Sequence, residues 1–365
     1  MMKDKYKVPI IEDVTTLQFI SQILYLCPIV TSLLTGSVIL YSKVNSIKTN
    51  YRIKKDFAPR GGYIISISDE DKKKIDDFDT QKISKFNHSK EILHFIDVVR
   101  KNFNEEDLAF MVKNLNKLNV YNLALEDYFR TDGLKAYYNV FNNSIFLHEK
   151  NPENYVFHEL FHAASAVGED NAFCVGFANY SKSSFGVGIN EGYTQLLTNR
   201  YFPCDKSYLF YPYLTKVASI LEYIIGKDDM QSMYMRGELN LLFNKLSSFS
   251  SEQDALNFIN ILDNICSHLY KKGLNNESKV ILNQSLYEIN VLLTRFVINK
   301  YVMESDTSKL NLSSIYNKCL PAIHSLPANI ECVHFKCNFW DDKIALDTIS
   351  EELSLALNLN NTKRK

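Results

Sequence analysis

Glycine and proline are scarce in this sequence, with 12 glycines and 8 prolines among 365 residues. A many-stranded β protein needs both residues for its turns, so their scarcity favours a helix-rich chain. An excess of one charge is also lacking, because the chain has 41 Lys and Arg residues and 42 Asp and Glu residues, which gives a formal net charge of −1. A protein that binds nucleic acid through a broad basic surface is therefore not expected.

The seven cysteines lack the spacing of a disulfide framework. Their number is odd, they are scattered, and no CxxC pair occurs. Buried thiols are the simpler interpretation. The tightest group is Cys332, His334 and Cys337, which could hold a metal through soft ligands but lacks a fourth ligand.

The mean hydropathy of the chain is also low, at −0.18. Apolar residues make up 46% and charged residues 23%, as in an ordinary globular protein. These values exclude both a disordered chain and a polytopic membrane protein. A single core rarely grows beyond about 250–300 residues, so the length predicts two or three subdomains.

One stretch, from Val14 to Ser42, contains no charged residue. Within it, residues 23–41 are apolar and long enough for one membrane span, although Pro28 and Gly36 interrupt them. We predict a single transmembrane helix at about residues 17–41. Basic residues are more numerous after it than before it, which would place the bulk of the chain in the cytoplasm. A soluble cytoplasmic protein, with this segment buried as a helix, is the alternative.

The remaining sequence predicts an α+β chain that is mainly helical. Tyr63–Ser68 and residues 135–148 have the composition of strands, and residues 172–188 that of a strand pair or hairpin. Beyond Tyr211 the apolar periodicity is helical throughout, with long runs at 252–272, 276–303 and 343–357.

A short motif, His158-Glu159-Leu160-Phe161-His162, follows a helix start at Asn151-Pro152-Glu153. Histidines four residues apart project from one face of a helix and can bind one Zn²⁺ without any change in the backbone. Glu159 lies near the same edge, within reach of a metal-bound water. The surrounding residues are apolar, so the helix is expected to be buried except at this face.

A second helix is predicted to begin near Asn190, in the segment Gly188-Ile189-Asn190-Glu191-Gly192. A catalytic zinc ion needs three protein ligands and one open position. Glu191, in the first turn of this helix, can supply the third ligand.

The HExxH motif followed by an Asn-Glu helix resembles the gluzincin branch of zinc metallopeptidases, the thermolysin-like or "peptidase MA-like" proteins. The resemblance covers residues 135–202. It implies that His158, His162 and Glu191 bind one Zn²⁺, that Glu159 is the general base, and that Asn190 is a neighbouring polar residue. It also implies a zincin-like catalytic core with a small mixed or antiparallel sheet, followed by an all-helical C-terminal subdomain.

We therefore predict three regions: residues 1–62 as an N-terminal segment with the membrane helix and a basic linker, 63–205 as the catalytic core, and 206–365 as the helical subdomain. The strand at residues 142–147 is where the family places the edge that pairs with an extended substrate. An oxyanion-stabilising residue is usually Tyr or His, and the sequence offers several candidates: Tyr193, Tyr201, Tyr211, Tyr213 and His268.

Gln195 departs from the family pattern, because an acid that orients a histidine often stands at this place. A glutamine can still accept a hydrogen bond from an imidazole N–H, although a weaker one. The upstream GxMEN strand of the aminopeptidases is also absent, so an endopeptidase acting on peptide or protein substrates is expected.

Two alternatives stay open. The first is an inactive zincin-fold protein that serves as a binding or scaffolding module, which Gln195 favours. The second is a membrane-tethered interaction protein in which the histidines are incidental. The sequence does not indicate an oligomeric state.

Overall fold

The computed structural model describes residues 78–122, 136–147, 153–169, 172–180, 184–203, 211–269, 274–304, 312–332 and 335–362. These residues belong to one compact unit, which spans Ile67–Lys365. The predicted strand at Tyr63–Ser68 and the predicted membrane helix at residues 17–41 lie outside the described residues. Among the helices that are described, none is both long enough and apolar enough to cross a bilayer.

The chain is mainly helical with small sheets, as the scarcity of glycine and proline predicts. The described helices are α1 (Thr80–Ile83), α2 (Ser89–Asn102), α3 (Ala109–Leu115), α4 (Glu153–Ala164), α5 (Val187–Tyr201), α6 (Pro212–Ile225), α7 (Lys227–Met235), α8 (Leu239–Phe249), α9 (Glu252–Leu269), α10 (Asn276–Glu304), α11 (Leu312–His324) and α12 (Asp342–Thr362), with a 3₁₀ turn at Glu105–Leu108. The described strands are β1 (Asn119–Asn122), β2 (Ala136–Asn139), β3 (Ser144–Leu147), β4 (Ala166–Glu169), β5 (Ala172–Val175), β6 (Ala178–Tyr180), β7 (Ser184–Phe185), β8 (Asn329–Cys332) and β9 (Phe335–Asn338).

The sheet beside helix α4 has the strand order β1-β3-β2, with β1 parallel and β2 antiparallel to β3. Val120, Ile145 and Tyr138 stand opposite one another in this register. Val120 and Ile145 are buried, and α4 packs against β2 and β3. The β2–β3 turn contains Asn143 in the left-handed region, a conformation that asparagine tolerates well.

This topology corrects one prediction. The segment 142–147 was expected to be the edge that pairs with substrate, but β3 lies between β1 and β2 and both of its edges are used. The sequence does not distinguish the two positions, because a central and an edge strand of four residues have similar compositions. Among the described strands, β2 is the one at the edge that lies next to α4.

The second sheet follows α4 and consists of β4, β5, β6 and β7 in sequential antiparallel order. The strand pair predicted within residues 172–188 is confirmed as β5 and β6; β7 lies in the same range, and β4 extends the sheet. This sheet ends directly at the start of α5, so it connects the two helices that carry the motif residues.

Helix α5 is enclosed on most sides and packs against α4, α6 and α9. Its residues at 188–190, 192–195, 197 and 198 are buried. Helix α10 is the centre of the C-terminal helices and packs on α6, α8, α9, α11 and α12. The prediction that the C-terminal subdomain is all-helical is wrong, because β8 and β9 form an antiparallel pair between α11 and α12. The helical periodicity of the flanking runs does not extend to this short segment. The predicted division of the chain at residues 62 and 205 is not tested by these contacts and stays a prediction.

Candidate metal centre

The two histidines of the motif lie on the same face of α4 and are both buried, at 8% and 6% exposure for His158 and His162. Their Nε2 atoms are 3.1 Å apart. The apolar residues of the motif helix, among them Val156, Leu160 and Phe161, are also buried. The predicted arrangement of a buried helix with one polar face is therefore present.

Glu191 of α5 completes a cluster with these two rings. Its Oε2 lies 3.2 Å from His158 Nε2, and its Oε1 lies 3.6 Å from His162 Nε2. Ligands of a tetrahedral zinc ion with bonds of about 2.0–2.1 Å are about 3.3 Å apart. These three side chains could therefore hold a metal ion. Among the described residues, no other group of at least three His, Cys, Asp or Glu side chains has this property.

Hydrogen bonding at His158 indicates how a cation could be held here. His158 Nδ1 lies 3.1 Å from Gln195 Oε1, an atom that can only accept, so Nδ1 carries a proton. In the neutral ring, Nε2 then presents a lone pair to the Glu191 carboxylate 3.2 Å away. Two facing lone pairs in a buried position are unfavourable unless a proton or a metal ion lies between them.

Asn190 and Gln195, the predicted polar neighbours, do contact the two imidazoles. Gln195 Nε2 donates to Asn199 Oδ1 at 2.8 Å, which turns its oxygen toward His158. Asn190 Oδ1 accepts the Phe177 N–H at 3.0 Å, and its Nδ2 lies 3.3 Å from His162 Nδ1. In this orientation His162 carries its proton on Nε2. Ligation of a metal through Nε2 therefore requires the Asn190 amide to turn its oxygen toward the ring.

Glu159 is buried beside the cluster, with 7% of its surface exposed. Burial raises the pKa of its carboxyl group to about 7, while His158 and the Tyr138 N–H of strand β2 act in the opposite direction. A cation bound at the neighbouring ligands would also lower this pKa. The geometry places a proton acceptor next to the metal ligands, as the motif predicts.

Glu191 has the opposite character. Burial alone would raise the pKa of Glu191, but the charges and hydrogen bonds of His162 and His158 hold it well below its ordinary range. The two carboxyl groups thus differ in their preference for a proton, since burial favours the protonated form of Glu159 and the two histidines favour the ionised form of Glu191.

The oxyanion candidates are not all placed near the cluster. The Tyr211 ring is stacked on the His158 ring with 6.0 Å between centroids. Tyr193 is fully buried and donates to Glu222, and Tyr213 is buried and donates to the Leu286 carbonyl. Tyr201 accepts a hydrogen bond from Gln231, and His268 contacts the Asn264 carbonyl.

Sequence reasoning missed Tyr180, at the end of β6. Burial raises the pKa of its hydroxyl group, and the nearby carboxylates of Glu191 and Glu159 raise it further. Its hydroxyl group is therefore within electrostatic range of both acids. No sequence signal distinguishes it, because it is one of 22 tyrosines and is joined to the site only by the β5–β6–β7 meander.

The second metal group suggested by the sequence is not tested. His334 lies outside the described residues, and Cys337 lies in strand β9. Comparison of the chain with protein-family models, curated proteins and solved structures gave no match. The residues and the geometry of the cluster are therefore the basis on which a function can be inferred.

Proposed function

We propose that this chain is a zinc-dependent metallopeptidase with a zincin-like core, and that it acts as an endopeptidase. The observation that carries the proposal is the convergence of His158, His162 and Glu191 beside the buried carboxyl group of Glu159. Two imidazoles and one carboxylate form the protein donor set of many catalytic zinc sites, in which water takes the fourth position.

A zinc ion held by these residues would supply a Lewis acid that lowers the pKa of a bound water and polarises a carbonyl group. The chain's own contribution is the movement of protons. Glu159 accepts a proton from the attacking water and delivers it to the amine nitrogen that leaves. Burial raises the pKa of its carboxyl group, whereas a cation held beside it would lower this pKa, and the two opposing effects suit a group that must both accept and release a proton.

The edge strand β2 supports a peptide as the substrate. The Tyr138 N–H of this strand reaches the Glu159 carboxylate, so the strand runs directly beside the proposed base. Among the described strands, only β3 pairs with β2. An extended peptide that added to the other edge of β2 would therefore pass next to Glu159.

The test compares metal content and peptide hydrolysis in four full-length proteins. Wild type should bind one zinc ion and hydrolyse casein or a mixed peptide library, and a chelator should abolish this activity. Glu159→Gln should keep the metal but lose at least about 100-fold in rate. His162→Ala should lose both. His324→Ala, which removes an exposed histidine at the end of α11, is the matched control and should behave as wild type.

Gln195 keeps the inactive scaffold as the second candidate, because it replaces the acid that often orients a ligand histidine. If the chain is such a scaffold, the wild-type protein should bind zinc without hydrolysing peptides, and Glu159→Gln should have no effect on its function. Wild-type protein that binds no zinc at neutral pH would contradict both candidates and favour incidental histidines.

A further inference from the structure

The first turn of helix α5, which leads into Asn190 and Glu191, is capped by a residue of another helix. The Gly186 and Gly188 N–H groups donate to the two carboxylate oxygens of Asp263 on α9, each at 2.8 Å. The Val187 N–H also donates to this carboxylate. The first N–H groups of a helix have no partner within it, and Gly186, at the N-cap of α5, offers no side chain for the purpose.

The backbones of α5 and α9 are in direct contact at the same point. A Cβ atom at Gly188 would lie 2.4 Å from the Leu262 carbonyl oxygen, the residue before Asp263. Gly186 has φ +80, a conformation that residues with side chains rarely adopt. The position of the Asp263 carboxylate relative to the first turn of α5 is therefore fixed by packing on both sides.

Glu191 lies one turn beyond these capped N–H groups and is the one proposed metal ligand that does not belong to α4. Its carboxylate oxygens are 3.2 Å and 3.6 Å from the two imidazole Nε2 atoms. A small rotation or displacement of the first turn of α5 would change both distances. A metal site tolerates errors of only a few tenths of an ångström in ligand position.

We infer that Asp263 is a positioning residue for the metal centre, which holds Glu191 over His158 and His162 by fixing the first turn of α5 to α9. The inference rests on the proposed function, because it assumes that the cluster binds metal. Burial raises the pKa of Asp263 to about 6, although three backbone N–H groups favour the carboxylate. The carboxylate is thus kept in a buried position that disfavours its charge, which suits a residue that fixes the geometry of the first turn of α5.

The experiment measures the affinity of the full-length protein for Zn²⁺ by competition with a chelator, and the absorption spectrum of the Co²⁺-substituted protein. Asp263→Asn places an amide N–H against one of the helix N–H groups and should weaken zinc binding about 10- to 100-fold, the range found for residues that orient ligands. The Co²⁺ spectrum should change as well, since it reports ligand geometry.

Asp107→Asn is the matched control for lost stability. Asp107 is also a buried acid, but its partners are Ser232 and Arg236, not backbone groups of α5. The control should be destabilised and still bind zinc with unchanged affinity. Asp263→Ser, which keeps one acceptor oxygen, should bind zinc with intermediate affinity and serves where the asparagine variant does not fold.

The outcomes separate the two proposals. Asp263 variants that unfold more easily but keep the wild-type zinc affinity and Co²⁺ spectrum would show that Asp263 is only a helix cap, and would overturn this inference. Wild-type protein that binds neither metal would overturn the proposed function itself, and the role of Asp263 with it.

Discussion

At the scale of single residues, metal binding by the proposed centre depends on which atom of each imidazole carries a proton. A neutral histidine can ligate through Nε2 only if its proton is on Nδ1, and a buried Nδ1–H needs an acceptor. For His158 that acceptor is Gln195 Oε1 at 3.1 Å. The sequence predicted this contact, and the second hydrogen bond, from Gln195 to Asn199, explains why the amide presents its oxygen and not its nitrogen.

Replacement of Gln195 by leucine should therefore weaken zinc binding about 10- to 100-fold, because His158 loses the acceptor that fixes its tautomer. Gln195→Glu should strengthen binding, since a carboxylate raises the basicity of the ring. Both affinities are measured by chelator competition. Gln253 is a matched control, because it makes the same bond to an asparagine four residues on but lies on an exposed surface. If Gln195→Leu binds zinc as tightly as Gln253→Leu, the proposed role of Gln195 is wrong.

At the scale of elements, the centre is assembled by close packing around α5. A Cβ atom at Gly192 would lie 2.4 Å from the Leu214 carbonyl oxygen of α6, and one at Gly188 would lie 2.4 Å from the Leu262 carbonyl oxygen of α9. The two glycines thus allow α5 to approach a neighbour on either side. Because α5 carries Glu191, this packing also sets the distance between the third ligand and the histidines of α4.

Gly192→Ala should lower the free energy of unfolding by about 1–3 kcal/mol, despite the better helix propensity of alanine, because the helices must separate. Urea denaturation measures this change. Lys216→Ala, at an exposed position of α6, should change stability by less than about 0.5 kcal/mol. A Gly192→Ala protein that is as stable as wild type would mean that α5 and α6 are not packed backbone to backbone.

Asp263 should make stability depend on pH. Its carboxyl group binds a proton more tightly in the folded chain, with a pKa of about 6, than in the unfolded chain, where the ordinary value is 3.8. Its contribution to stability is therefore complete below about pH 4 and is lost as the pH rises through about 6. We expect the stability difference between wild type and Asp263→Asn to shrink by roughly 1–3 kcal/mol over this range.

Urea denaturation of the chelator-treated proteins at several pH values gives this difference, and groups other than Asp263 cancel in it. Glu277, in the first turn of α10 and absent from the cap of α5, provides the control substitution, Glu277→Gln. A difference between wild type and Asp263→Asn that grows with pH would show that the folded chain favours the ionised form.

Local sequence patterns predicted the parts of the site that lie within one helix. The HExxH spacing predicted His158, Glu159 and His162, and the Asn-Glu pair predicted the first turn of α5. The cap from Asp263 could not be predicted, because it joins residues that are far apart in the chain. The prediction that residues 142–147 form an edge strand was wrong for the same reason. Strand β3 is central because it pairs with β1, and β2 lies between these two strands in the sequence.

At the scale of the whole compact unit, the site lies where the strands and helices of the motif region meet the C-terminal helices. The ligands come from α4 and α5, while α6 and α9 hold α5 in place. A separate contact connects the N-terminal helices to α7. Asp107 of the 3₁₀ turn is 1% exposed, accepts from Ser232 Oγ at 3.0 Å, and is paired with Arg236.

Removal of the Asp107 charge should destabilise the whole unit, because it leaves the Arg236 guanidinium without its partner in a partly buried position. We expect Asp107→Asn to lower the free energy of unfolding by about 3 kcal/mol.

Asp229 is the control, since its pair with Lys245 is exposed on both sides and Asp229→Asn should cost less than about 1 kcal/mol. Urea denaturation followed by both tryptophan fluorescence and circular dichroism measures the two values. Trp340 is the single tryptophan and precedes α12, so its fluorescence follows the C-terminal helices, whereas circular dichroism follows all helices. Coincident transitions mean that the motif region and the C-terminal helices unfold together. Equal losses in the two variants would show that the buried pair does not join these regions.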